Sequence, residues 1–192
     1  MKRLNIVLAA LFLLAAIPAI YAAESVDTVI SCRLDDGTHA TLKVKSRGLD
    51  GKALFVEVNG QTQPAFLDMP DMDYVGQIVL AIWVGKALVF AQESGSPYLK
   101  GVVVRKNPQT HAEERINFAE KSLPRWLYLG RHEMLLIIPN EGYETNKRYL
   151  VYRSVQGKGQ PEESTPMDNL PVSRKLLYRV KSNSDQSRDG GS

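Results

Sequence analysis

Cysteine is nearly absent from this chain: Cys32 stands alone among 192 residues. A lone thiol cannot close an intramolecular disulfide. The stapled scaffolds of small exported domains are therefore excluded, and a packed core must hold the chain together. Histidine is also scarce, and His39, His111 and His132 lie far apart. No three of His, Cys, Asp and Glu fall at metal-ligand spacing. His132-Glu133 opens like a zincin helix, but Leu136 occupies the place of the second histidine. The P-loop, the dinucleotide fingerprint and the Gly-x-Ser-x-Gly elbow are all missing. The acid pairs Glu113-Glu114 and Glu162-Glu163 are adjacent, so on a strand their side chains point to opposite faces. Asp68-Met-Pro-Asp-Met-Asp73 is rich in carboxylates, but it lacks the spacing of a calcium loop and Pro70 stiffens it, so it reads as a solvated turn. These absences argue against an enzyme and call for no cofactor and no metal.

Long apolar runs are confined to the N-terminus. Met1-Lys-Arg3, the apolar segment Ile6–Ile20 and the small residues Ala22 and Ala23 form a signal peptide with expected cleavage after Ala22. A bilayer span needs about 20 apolar residues, more than this segment offers. Export to the periplasm or medium is the expectation. Val29-Ile-Ser-Cys32 loosely resembles a lipoprotein box, but Glu24, Ser25 and Asp27 separate it from the apolar segment. Without Lys2 and Arg3 the formal charge of +3 falls by two, and a near-neutral chain does not suit nucleic acid as the main partner.

The remaining chain is rich in short β-like runs and in turns. Ile78–Val84, Ala87–Ala91 and Tyr98–Arg105 form a meander whose first two members are apolar on both faces, so they are expected in the middle of the core. Gly85-Lys86 has the chemistry of a type II′ turn, and Gly130-Arg131 reads as a second turn with Gly first. Around Asp35-Asp36-Gly37 a three-residue loop pairs Cys32 with Ala40 and Ile30 with Leu42. That register gathers the apolar side chains on one face, buries Cys32 and leaves His39 in solvent. Asn59-Gly60 marks a tight hairpin, and Pro64 places the returning strand at a sheet edge.

Arg115-Ile-Asn-Phe118 puts Ile116 and Phe118 on one face, and strands are expected over Trp126–Leu129, His132–Ile138, Lys147–Val155 and Arg174–Lys181. Positions 156–173 read as a long mobile loop and 183–192 as a disordered tail, leaving a single β domain over 23–182. The expected fold is all-β: an antiparallel barrel or sandwich of about nine to eleven strands. A transmembrane β-barrel fits less well, because its strands would alternate apolar and polar residues.

Leu88-Val-Phe-Ala-Gln-Glu-Ser-Gly-Ser-Pro-Tyr98, with the β-run that follows to Lys106, resembles the Ser-Gly-x-x-Tyr region of the bacterial periplasmic C-type lysozyme inhibitors, which are small envelope β-barrels. The early Cys-bearing strand at Ser31–Gly37 is similar too. The resemblance implies that Ser94 enters a lysozyme cleft, that Gly95, Ser96 and Tyr98 shape its loop, and that Lys106 takes the place of an assisting lysine. Pro97 stands where the family has a basic residue, and Cys32 has no partner cysteine. A second clue is basic and aromatic: Arg148, Tyr152, Arg174, Lys175, Tyr178, Arg179 and Lys181 would form one face if the C-terminal strands were neighbours. Together these suggest an envelope binding protein whose partner is a protein or an envelope polymer. Inhibition or neutralisation of a cell-wall hydrolase or toxin is the favoured task. The alternatives are a lipocalin-like carrier with a cavity lined by Trp83, Phe90 and Trp126, and an unrecognised hydrolase.

Overall fold

A computed structural model describes residues 25–47, 51–95, 97–142, 145–161, 163–170 and 176–181. The expected signal peptide and C-terminal tail, together with Ser96, Arg174 and Lys175, lie outside the described residues. Thirteen strands form three antiparallel sheets, with no α-helix among the described residues. The first sheet contains β1 (Val26–Arg33), β2 (His39–Arg47), β3 (Gly51–Val58) and β4 (Gln61–Pro64) in sequence order. The central sheet contains β5 (Ile78–Val84), β6 (Ala87–Glu93), β7 (Leu99–Lys106) and β8 (Glu113–Glu120), again in order. The third contains β9 (Trp126–Leu129), β10 (Glu133–Pro139), β11 (Tyr149–Val155), β12 (Thr165–Met167) and β13 (Leu177–Arg179), arranged β12-β11-β10-β9-β13.

The sheets stack as three layers. The described residues form no closed barrel, and the strands exceed the expected nine to eleven. One of them, β12, lies inside the stretch read as a loop and pairs Thr165 with Val151 at the edge of β11. Pro166 is tolerated there because an edge position need not donate on both sides.

The central layer is covered on both sides, as its two-faced apolar strands require. Leu88, Phe90, Val102 and Val104 pack against Cys32, Leu42, Leu54 and Val56 of the first sheet. Their alternates, Val89, Val103, Ile116 and Phe118, pack against Leu127, Met134, Leu136 and Tyr152 of the third. Each such side chain contributes about 1.5–3 kcal/mol on burial, so these two interfaces dominate the stability. Gly101 allows the tightest approach: a Cβ there would meet the Phe118 ring and the Phe90 carbonyl.

The turns set these registers. Cys32 pairs with Ala40 and Ile30 with Leu42, Gly37 takes φ +83°, and Cys32 is buried. Burial pushes its thiol up to about 12. Asn59 and Gly60 both take positive φ, as a type I′ turn demands, and β4 is an edge. Gly85 has φ +61°. Gly130 differs from expectation. It does not have positive φ, and its loop runs from Gly130 to His132, with Leu129 paired to Met134. Glycine is needed there for space, since a Cβ would stand 2.7 Å from the Tyr128 ring.

Candidate functional site

The register between β7 and β8 decides which loops meet. Leu99 pairs with Glu120 and Lys106 with Glu113. The start of β7 therefore lies beside the end of β8, and the turn carrying Ser94 and Tyr98 faces the connection that begins at Lys121. Lys121 Nζ sits 5.1 Å from the centre of the Tyr98 ring, a cation–π distance. The Ser94 hydroxyl donates to the Tyr98 carbonyl at 3.0 Å, which closes the turn. Gly95 has φ +73° and open space around its α-carbon.

Next to this turn a groove of about 450 Å³ opens between the central and third sheets. Lys121, Arg125 and Arg179 line it, with Glu141 as the only acid in its wall; Leu99, Leu123 and Val180 give it an apolar floor. Arg125 follows the rigid Pro124 and stacks its guanidinium 5.4 Å from the Trp126 ring. Arg179 is held by the pairing of β13 with β9, opposite Trp126. Neither arginine has an ion pair among the described residues. Below the rim, the Ser122 hydroxyl donates to the Pro139 carbonyl at 2.6 Å, tying the two sheets together. The Tyr152 hydroxyl donates to the buried Glu120 carboxylate at 2.8 Å. Burial first, and then the hydrogen bond to Glu120 and its charge, raise the Tyr152 phenol well above its ordinary range.

The structure separates the expected site residues. Ser94, Gly95 and Tyr98 share one turn, Ser96 lies outside the described residues, and Lys106 is at the far end of β7, about 23 Å away at ~3.3 Å per residue. Lys121, not Lys106, is the lysine beside the Ser94 turn. The β7–β8 register points to it directly, because Tyr98 continues the pairing series opposite Lys121. The C-terminal basic–aromatic face is likewise redistributed. β11 and β13 are separated by β10 and β9. Tyr152 is buried between sheets. Tyr178, Arg179 and Lys181 line a cleft of about 250 Å³ with Trp83 and Gly85. Asp68 and Asp73 are exposed and pair with Lys100 and Arg47.

At the opposite end of the same sheets a buried polar clamp joins them. Arg105, only 1% exposed, donates from Nε to Glu114 at 2.6 Å and from Nη1 to the Gly130 carbonyl at 2.8 Å. Asn107 donates to both the second Glu114 oxygen and the Arg131 carbonyl. This clamp fastens β7 and β8 to the β9–β10 loop.

The chain matches no known protein family, no curated protein and no solved structure.

Proposed function

We propose that the protein is an exported envelope binding protein that acts by occupying a partner, not by catalysis. In this reading the Ser94–Tyr98 turn and the adjoining basic groove engage an acidic cleft of a cell-wall hydrolase or toxin. The observation that carries it is the placement of Lys121 against Tyr98, which sets Tyr98 beside the groove lined by Arg125 and Arg179. Glycoside hydrolases that cut wall polymers generally carry a pair of carboxylates in the cleft. A basic rim is complementary to that field and would speed and orient docking. A turn anchored on a packed sheet loses little entropy when it docks, and Pro97 stiffens it further.

The carrier alternative is not supported by the placement of its residues. Trp83 and Phe90 pack between the first and central sheets, whereas Trp126 lies on the outer face of the third. A second binding reading is favoured by the cleft of Tyr178, Arg179 and Lys181, whose ring and cations suit an anionic envelope polymer.

The test is binding of the mature protein to a panel of purified muramidases by calorimetry, with Ser94→Tyr as the variant. Bulk in the turn should weaken a cleft complex by roughly 2 kcal/mol, as for a central interface residue, while loss of the Ser94–Tyr98 hydrogen bond should cost only about 0.5–1.5 kcal/mol of stability. If the wild type binds no muramidase but binds a polyanionic glycan, with loss on Arg179→Glu, the polymer reading replaces the hydrolase one.

A further inference from the structure

A second pocket, of about 330 Å³, lies at the outer edge of β8, away from the Ser94 rim. Its walls are Leu67, the start of β8 from Glu113 to Arg115, and the loop Gln156–Gln160 that follows β11. Arg115 is only 4% exposed. Its Nε donates to Glu113 at 2.6 Å, and Glu113 also accepts from Gln63 at 3.0 Å. The two Nη nitrogens are buried and have no protein acceptor. Arg105, on the neighbouring strand, uses Nη1 as well as Nε and leaves only Nη2 without an acceptor. A buried guanidinium with two idle donors is costly, because each buried donor without an acceptor loses about 1–3 kcal/mol. Two Nη groups in one plane match the two oxygens of a carboxylate or phosphate. The exposed Lys158 adds a second positive charge from the loop wall. Glu113 is paired with Arg115 and Glu114 with Arg105, so Lys158 carries the charge of this wall that has no ion pair among the described residues.

We propose that this pocket binds a terminal oxyanion, with the Arg115 guanidinium as the cation behind its wall, whose covered Nη1 and Nη2 become donors when the exposed Gln156–Gln160 loop yields to the ligand, and with Lys158 as its outer counter-charge. The shared chemistry has two sources: a phosphate ester or the C-terminal carboxylate of a peptide. Its pocket volume accommodates a ligand of a few residues' size, not a bare ion alone.

The experiment is a thermal-shift and calorimetric titration of the full mature protein. The probes are inorganic phosphate, N-acetylalanine and N-acetylalaninamide, with chloride at matched ionic strength as reference. Saturable binding of phosphate or N-acetylalanine, but not of the uncharged amide, is expected, and the tighter of the two identifies the source. Arg115→Gln should lower that affinity more than tenfold and Lys158→Ala about threefold. Lys158 is exposed, so its variant reports even if Arg115→Gln fails to fold; amide shifts of Gly157 and Gly159 during the same titration locate the ligand. The proposal is overturned if neither anion exceeds chloride, if the amide binds equally well, or if Lys158→Ala binds like wild type with Gly157 and Gly159 unmoved.

Discussion

The two ends of the interface between the central and third sheets are built from the same strands but use polar groups in opposite ways. At the end where β7 finishes, Arg105, Glu114 and Asn107 are paired with one another and with the Gly130 and Arg131 carbonyls, and only Arg105 Nη2 is without an acceptor. At the end where β7 begins, Arg125 and Arg179 stand at a groove without carboxylate partners among the described residues. The first arrangement fixes how two sheets lie on each other. The second leaves charge for something outside the molecule. The two ends therefore differ in whether the arginines have carboxylate partners: Arg105 is paired with Glu114, while Arg125 and Arg179 have none among the described residues.

The largest expected effect breaks the clamped end. Arg105→Ala leaves Glu114 buried and uncompensated, and should cost about 3–5 kcal/mol in denaturant unfolding. Replacing both partners, Arg105→Met with Glu114→Leu, should cost far less. A single-variant loss below about 1 kcal/mol would show that the clamp does not hold the seam. Gly101→Ala tests the packing nearer the open end. The added methyl would press on Phe118, whose ring neighbours Tyr152, and overpacking of this kind costs about 1–3 kcal/mol.

Alkaline titration separates buried groups from rim charges. The folded state raises the Cys32 thiol from 9.0 to about 12 and also raises the Tyr152 phenol. In the unfolded chain these groups lose their protons first, so stability should be flat below about pH 9 and fall as pH rises toward 12. The slope is at most about 1.4 kcal/mol per pH unit for each group. Urea midpoints between pH 8 and 11 measure it. Cys32→Ala should flatten the decline from pH 9, and Tyr152→Phe from about pH 10.

The smallest stability effect belongs to the open end. Arg125→Glu with Arg179→Glu should shift unfolding by about 1 kcal/mol or less, because exposed groups without ion pairs contribute little beyond the stacking of Arg125 on Trp126. The same pair of changes should weaken an acidic partner more than tenfold. A large stability loss instead would make the groove a second seam.

The core was legible because its patterns are local. Cys32 against Ala40 follows from keeping Ile30 and Leu42 on one face, and Asn59-Gly60 needs only its own φ preferences. Ile78–Val84 and Ala87–Ala91 showed two apolar faces, which already implied a layer on each side. The rim was not legible because it depends on register between β7 and β8. That register passes through the Asn107 loop. Its shape is fixed by Asn107 accepting from the Gln109 and Thr110 amides, and by His111 at φ +56°. Gly130 misled for a different reason: glycine there answers to the Tyr128 ring, not to a left-handed turn. Lys106 was chosen for its nearness in sequence to Tyr98, but an extended strand carries neighbours apart faster than any other element.

Each layer is drawn from one contiguous stretch: the first sheet ends at Pro64, the central one runs from Ile78 to Glu120, and the third begins at Trp126. A chain made or threaded from its N-terminus therefore completes two layers before the third exists. During that interval Leu80, Val89, Val103 and Ile116 form an uncovered apolar sheet. Such a surface is adhesive at ordinary concentrations. The order of synthesis thus builds in a vulnerable window, which closes only when Leu127, Met134, Leu136 and Tyr152 arrive. A premature stop near Ser122 would release not a smaller folded protein but a sticky fragment, and the pace at which the last third of the chain is delivered becomes part of what keeps the chain from aggregating.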